Sequence, residues 1–307
     1  MPIAKRRIDS AAITAIAPVV ALFPIWLIST AIFWIPFGLF GGVSYVLFAV
    51  ALLLFGIVLF SRPVQRLIFV RLLGARSPTP TEFTKLDPAW GSVAQANHFS
   101  PDRFVLAVAD GDDINAFACG GHLLVVSSFA LDNLDTDELA GILAHELSHH
   151  LGGHTIALTI AQWMSLPVIA LAQVGFSLQR IAQAATNMFA ERYPTRAVRI
   201  FGRIVTGCLS GIAWIFLSGL LVAQSWGNVV GRSSEYQADA RALEMGFGPE
   251  LLSALKRVVT SGRGEVLHGW HFVVLASHPP ARTRIARLEA ALRRRDTTED
   301  ERQRRRR

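Results

Sequence analysis

The densest concentration of reactive side chains in the sequence is His145-Glu146-Leu147-Ser148-His149. Residues four apart on a helix share one face, so both imidazoles can reach one tetrahedral Zn²⁺ at about 2.0–2.1 Å. Glu146 lies about 100° round the helix from His145, where its carboxylate can meet a water held by the metal. A catalytic zinc takes three protein ligands and keeps one position open. A third ligand must therefore come from elsewhere. Glu235 and Asp239, in Glu235-Tyr236-Gln237-Ala238-Asp239, are again four apart. Alone, either motif has a plain reading: solvated histidines in the first, an acidic stripe facing Arg232 and Arg241 in the second. Together they describe a two-histidine, one-carboxylate site. Glu235 completes the ligand set, and Asp239, one turn on, accepts the free ring N–H of a ligating histidine.

These side chains need a rigid carrier. Asp135 is a good N-cap, Glu138 three residues on makes a capping box, and Asp137 adds charge at the positive helix end. Leu139, Ile142, Leu143 and Leu147 recur at helical spacing, and Gly152-Gly153 offers a stop. Residues 77–81 form a turn-rich linker into this region. Residues 104–109 and 122–127 read as short strands, the second after a Gly120-Gly121 break. Helices are expected over 233–245, 249–260 and 280–292. The tail 293–307, with eight arginines, four acids and no apolar residue, is expected to be disordered and lipid-seeking.

The chain has 307 residues, 51% hydrophobic and 17% charged, against about 25% charged in soluble domains. That argues against a purely soluble globule. Residues 10–61 contain no charge, enough for two spans of about 20 residues: 12–35 and 43–60, with the turn at Pro36, Gly38, Gly41 and Gly42. The run is far longer than the apolar part of a cleaved signal peptide. Lys5, Arg6 and Arg7 before it and Arg62, Arg66, Arg71 and Arg76 after it put both ends in the cytoplasm. Two more charge-free runs, 155–179 and 204–231, read as spans three and four, or as a pair of re-entrant or interfacial helices with their arginines at the cytoplasmic headgroups. In the four-span reading, Arg180, Arg192, Arg196, Arg199 and Arg203 face outward against Glu191 alone, which opposes the positive-inside rule. Lys+Arg at 30 exceeds Asp+Glu at 23. The excess lies beside apolar runs and at the C-terminus, so it suits anionic lipid and not nucleic acid. Cys119 and Cys208 make no disulfide framework; Cys119 reads as a packed thiol.

The order of His145-Glu146-Leu147-Ser148-His149, Glu235-Tyr236-Gln237-Ala238-Asp239 and Ser277-His278-Pro279-Pro280, with two apolar segments before the first motif and two before the second, resembles the HtpX-like family. These are membrane-embedded zinc metalloproteases, relatives of the CAAX prenyl endopeptidase and of a mitochondrial inner-membrane stress protease. The resemblance covers most of the chain except the arginine-rich tail. Where the family often has Arg before the zinc-binding glutamate, this chain has Ser234. The resemblance implies one Zn²⁺ per chain on His145, His149 and Glu235, with Glu146 as general base on the zinc-bound water. It implies His278 as donor to the oxyanion of the tetrahedral intermediate. Asn115-Ala116-Phe117-Ala118 is similar to the family's segment leading into a substrate-binding edge strand, and His122, Leu123, Leu124, Val125 and Val126 are expected to pair with an extended substrate. His150 and His154 read as interfacial surface residues; His122, His268 and His271 as structural or exposed.

The architecture expected is a mostly helical α+β protein with a zincin-like, gluzincin-type catalytic domain. Its parts are a membrane hairpin at 1–62, catalytic segments at 63–154 and 232–292, an apolar helical pair at 155–231 between them, and the tail at 293–307. The implied function is zinc-dependent cleavage of peptides and of misfolded or damaged membrane proteins at the cytoplasmic face of a bacterial inner membrane. His149 is six residues, about 9 Å of helix, from residue 155, which puts the zinc just above that surface. The alternatives are a catalytically latent zinc scaffold and a site-2-type intramembrane protease. Asp132, Asp135, Asp137 and Glu138 argue against the second, since they make the metal-binding helix a soluble one. A zinc transporter is disfavoured, because no ionisable residue lies within the first two spans to line a path. The sequence does not name an oligomeric state.

Overall fold

The computed structural model describes residues 16–193, 195–261 and 281–306. Its elements run in the order α1 (Ala17–Gly41), α2 (Tyr45–Phe55), β1 (Ala75–Arg76), α3 (Pro80–Ala96), β2 (Val105–Ala109), β3 (Ala116–Cys119), β4 (Leu123–Ser127), α4 (Ser128–Asn133), α5 (Thr136–Leu151), α6 (His154–Arg192), α7 (Arg196–Glu244), α8 (Gly248–Ser261) and α9 (Ala281–Arg306). A 3-10 turn Gly56–Phe60 extends α2, and a broken helix containing the π-helical turn Gln65–Phe69 leads into β1. The chain divides into two compact units, 16–56 with 160–227 and 57–159 with 228–307.

The first unit is a bundle of α1, α2, α6 and α7 around Leu22, Trp26, Ala49, Met164, Val168, Ala172 and Phe216. Its outer surface is apolar: Leu39, Phe40 and Phe201 are exposed at 74%, 91% and 69%. Among the described residues, Ala17–Gly41, Thr155–Arg192 and Arg196–Val222 are long and apolar enough to cross a membrane, and Tyr45–Phe60 is a shorter apolar helix. The protein is an integral membrane protein. The first turn falls at 42–44, with Gly42 left-handed at φ 61°. Pro36 and Gly38, expected in the turn, lie inside α1. Pro36 is tolerated in the last turns of a long apolar helix, where a lost hydrogen bond kinks the backbone without ending it. α6 and α7 are unbroken over 39 and 49 residues.

The second unit holds a four-stranded sheet in the order β1-β2-β4-β3. β4 runs parallel to β2, Val105 opposite Leu123, and antiparallel to β3, Cys119 opposite Leu123. Leu124 and Val126 point into the main core with Leu86, Trp90, Leu139, Leu143, Leu147, Leu251 and Leu288. Leu123 and Val125 point the other way, against Val70, Ala75, Ala107 and Cys119. That two-sided burial explains an uninterrupted apolar strand, Leu-Leu-Val-Val, without alternation.

α5 begins as its sequence dictates. Asp135 accepts from Glu138 N–H at 2.8 Å and Glu138 accepts from Asp135 N–H at 3.1 Å. The Glu138 carboxylate also accepts from Ser253 Oγ and Arg257 Nε, both at 2.7 Å, which ties the start of α5 to α8. Burial raises the carboxyl pKa of Glu138, but these bonds prevail and hold it below the ordinary range. One turn on, the helices cross at Gly141, where a Cβ would stand 2.4 Å from the backbone nitrogen of Leu251. Segment 293–306, expected to be disordered, continues α9. Arg293 pairs with Glu289 at i,i+4 and 3.6 Å, and Arg295 reaches the Leu243 carbonyl at 3.0 Å. Arginine and glutamate are good helix formers, so a tail without apolar residues propagates a helix already nucleated by packing.

Gly141→Ala is expected to force α8 off α5 and to cost about 2 kcal/mol, a fall in melting temperature of about 5 °C in detergent; an unchanged melting point would mean that the crossing has room. Near β1, Arg76 donates twice to Glu82 at 2.7 Å. These bonds hold the Glu82 carboxyl down to about 2 from an ordinary 4.5, against the opposing effect of burial. Its stabilisation is therefore complete above pH 4.5 and disappears as the pH falls toward 2. With Arg76 39% exposed, about 1 kcal/mol survives solvent screening. Denaturant titration of Glu82→Gln is expected to show that loss at pH 7 and none near pH 2.

Candidate metal centre

α5 carries His145, Glu146 and His149, and α7 carries Glu235 and Asp239; all five are buried. His145 Nε2 and His149 Nε2 lie 3.3 Å apart. The Glu235 carboxylate closes the triangle, 3.3 Å from His145 Nε2 and 3.1 Å from His149 Nε2. Ligand atoms about 2.0–2.1 Å from a tetrahedral zinc are separated by about 3.3 Å. The three donors therefore already sit at the spacing of a metal's coordination shell, and they form a group that could hold a metal ion. Glu146 Oε1 stands 4.0 Å from His145 Nε2, beside the triangle and not in it.

Asp239 lies 2.9 Å from His145 Nδ1. A carboxylate only accepts, so the Nδ1–H donates and Nε2 is turned toward the triangle. Behind Asp239 is a residue with no motif to mark it, Arg284 on α9. It is buried and donates to both Asp239 oxygens, from Nε at 3.0 Å and Nη2 at 2.7 Å. Its Nη1 is 3.5 Å from Glu235. Burial and the Arg284 charge oppose protonation of His145, but the Asp239 and Glu235 carboxylates outweigh them and raise its pKa to about 9. Burial disfavours the Asp239 anion, yet His145 and Arg284 hold its pKa well below the carboxylate range. The two carboxylates thus favour the charged imidazole. Glu146, Glu235 and Asp239 bring three negative charges, Arg284 brings one positive, and a divalent cation on neutral imidazoles brings the sum to zero.

The C-terminal end of α5 is also anchored: Arg241 donates to the Ser148 carbonyl at 3.1 Å. His150, expected at the surface, is buried, with Nε2 3.1 Å from the Leu123 carbonyl and Nδ1 3.3 Å from Thr155 Oγ1. It connects α5 to the sheet. His122, half-buried, packs edge-on against Phe104, and its N–H donates to Gln65 Oε1 at 3.1 Å. Cys119 is buried, and burial raises its thiol to about 11.

The expected substrate strand needs correction. Leu123, Leu124, Val125 and Val126 form β4, whose two edges are already bonded to β2 and β3, so no main-chain group remains for a substrate. Asn115 precedes β3, its N–H bonded to Ser127 Oγ at 3.1 Å. The outer edge of the sheet on that side belongs to β3, the strand against which α5 packs. His278, His268 and His271 lie outside the described residues.

A small sheet packed on a helix with two histidines, a later helix with a glutamate, and apolar helices between them define a membrane metallopeptidase. The sequence pattern of Peptidase family M48 matches residues 80–292. The chain belongs to that family. It is 26% identical over 227 residues to Protease HtpX of Mannheimia succiniciproducens, covering 69% of this chain and 74% of the relative. It is 30% identical over 201 residues to a Protease HtpX homolog of Bordetella petrii, covering 60% and 63%. The crystal structure of S. mikatae Ste24p superposes with a TM-score of 0.48 at 20% identity, covering 86% of this chain and 61% of that one.

Arg284→Gln is expected to weaken metal affinity about 10- to 100-fold in a chelator competition, because it leaves Asp239 and Glu235 without their buried cation. Arg284→Lys keeps the charge but loses the fork and should fall between. Wild-type affinity in Arg284→Gln would remove Arg284 from the site.

Proposed function

We propose that the chain is a zinc endopeptidase that hydrolyses peptide bonds of misfolded or damaged membrane proteins at the cytoplasmic face of a bacterial inner membrane, with one zinc per chain. The observation that carries this reading is the His145–His149–Glu235 triangle, 3.1–3.3 Å on each side, with a buried Glu146 beside it. When bound, the zinc supplies Lewis-acid chemistry, lowering the pKa of water toward about 7 and polarising the scissile carbonyl.

This chain's residues do the rest. Glu146 takes the proton of the attacking water and returns it to the leaving amine. Asp239, held by Arg284, keeps the His145 ring oriented. His278 is assigned to the oxyanion on the family resemblance, as the donor that stabilises charge developing on the carbonyl oxygen. An extended substrate is assigned to the outer edge of β3, where main-chain hydrogen bonds recognise a backbone independently of side chains. That tolerance suits unfolded chains of varied sequence. Residues 63–154 and 232–292 are assigned to the catalytic domain, with 155–231 as spans three and four. Only five residues, His150 to His154, separate His149 from the charge-free run at Thr155, which supports action at a membrane surface.

The test is cleavage of an unfolded membrane protein by the full chain in detergent, with bound zinc measured on the same samples. Glu146→Gln is expected to hold as much zinc as wild type while losing about 10²- to 10⁴-fold in rate. Undiminished cutting by Glu146→Gln, or no zinc in the wild type, sinks the mechanism.

A further inference from the structure

The bundle carries a polar, basic patch that peptide hydrolysis does not use. The charge-free run that begins at Thr155 ends at Gln179; its 25 residues rise about 37 Å, more than the roughly 30 Å hydrocarbon core of a bilayer. Arg180 is therefore the first charge to emerge at headgroup level. Internal landmarks of the bundle agree. Near the other end of the run Trp163 donates to the Leu52 carbonyl at 3.0 Å and packs on Phe55. Ten residues further along α6, about 15 Å, lies Gln173. There Trp214, 53% exposed, packs edge-on against Phe176, an amphipathic aromatic where the membrane interface favours one.

At this level α6 changes character. Gln173, Phe176, Ser177 and Arg180 follow each other at i, i+3, i+4 and i+7, and with Gln179 they line an open groove of about 470 Å³ along the face of α6. Arg180 Nη2 donates to Ser177 Oγ at 3.2 Å, and among the described residues no carboxylate lies within ion-pair distance of it. An exposed arginine at the edge of an apolar helix, beside polar and aromatic side chains and with no acid to pair it among the described residues, offers its charge to an anion outside the chain.

The same helices favour a lipid over a soluble partner. α6 and α7 stay paired beyond the groove, Gly175 close to Ala213 and Gly202 close to Thr186. The hairpin thus runs a further 12 residues from Arg180 to Arg192, about 18 Å. On the hairpin, exposed Met188 and Phe189 precede exposed Arg192, Arg196, Arg199 and Arg203, with exposed Phe201 between the last two, against the single acid Glu191. Cations beside large apolar side chains match a surface that is anionic outside and apolar beneath. We propose that the groove binds the phosphate of an anionic phospholipid headgroup, with Arg180 as its cation, Gln173, Ser177 and Gln179 as its hydrogen-bonding rim, and Phe176 against the glycerol and upper acyl chain.

Native mass spectrometry of the full chain, released from mixed micelles of phosphatidylglycerol and phosphatidylcholine, tests this. Wild type is expected to retain phosphatidylglycerol in preference to phosphatidylcholine. Arg180→Gln should lower that retention about fivefold, the effect of one cation near a headgroup. Arg180→Lys should keep most of it, and Arg294→Gln, which removes an equal charge from the other unit, should leave it unchanged. Elution of Arg180→Lys at the wild-type volume keeps the comparison valid should Arg180→Gln misfold. The proposal is overturned if wild type shows no preference for phosphatidylglycerol. It is overturned equally if Arg180→Gln and Arg294→Gln behave alike, or if millimolar inorganic phosphate displaces the bound species and takes its place.

Discussion

Three carboxylates, Glu146, Glu235 and Asp239, are buried within one small volume of the second unit, and most of its architecture is arranged around the consequences. Isolated charges of one sign cannot be kept from water without compensation. The unit answers with two imidazoles that turn Nε2 toward Glu235, and with a guanidinium that grips Asp239 from behind. A metal ion and a proton on His145 would each offset part of the same negative charge.

Holding such a constellation requires rigid supports. α5 is fixed at its start by the Asp135–Glu138 capping box and the Glu138 contacts with Ser253 and Arg257, in the middle by the Gly141 crossing, and at its end by Arg241 on the Ser148 carbonyl. α9 brings Arg284 from a point 139 residues beyond His145 in sequence. His150 and Gln65 join the sheet to its surroundings through the Leu123 carbonyl and the His122 amide. The reactive side chains are few; the residues that prevent them from moving are spread over the whole unit.

The bundle follows a different logic. Its surface is apolar because its surroundings are, and its polar groups mark places where that surrounding changes. Thr30, with its hydroxyl 3.0 Å from the Trp26 carbonyl and 3.1 Å from Tyr45, satisfies itself inside the helices. Arg180 bonds the Ser177 hydroxyl at 3.2 Å and has no carboxylate beside it among the described residues.

Much of this is legible in the residues themselves. The helical spacing of His145 and His149, the capping box at Asp135, the second pair at Glu235 and Asp239, and the charge-free runs each rest on local rules, namely period, capping and hydropathy, which act over a few residues and need no knowledge of the fold. What was not legible depends on contacts between distant segments. Leu123 to Val126 have the composition of a strand, but whether that strand has a free edge is decided by which strands flank it. His150 reads as a surface residue until the sheet covers it, and the arginines of 293–306 read as a disordered tail until Leu288 anchors their helix in the core. Arg284 is one among 30 basic residues, and nothing in its neighbours distinguishes it. Only the tertiary structure gives it a partner, because the need for a cation arises from burying three acids together, and that burial does not exist until α5, α7 and α9 have packed.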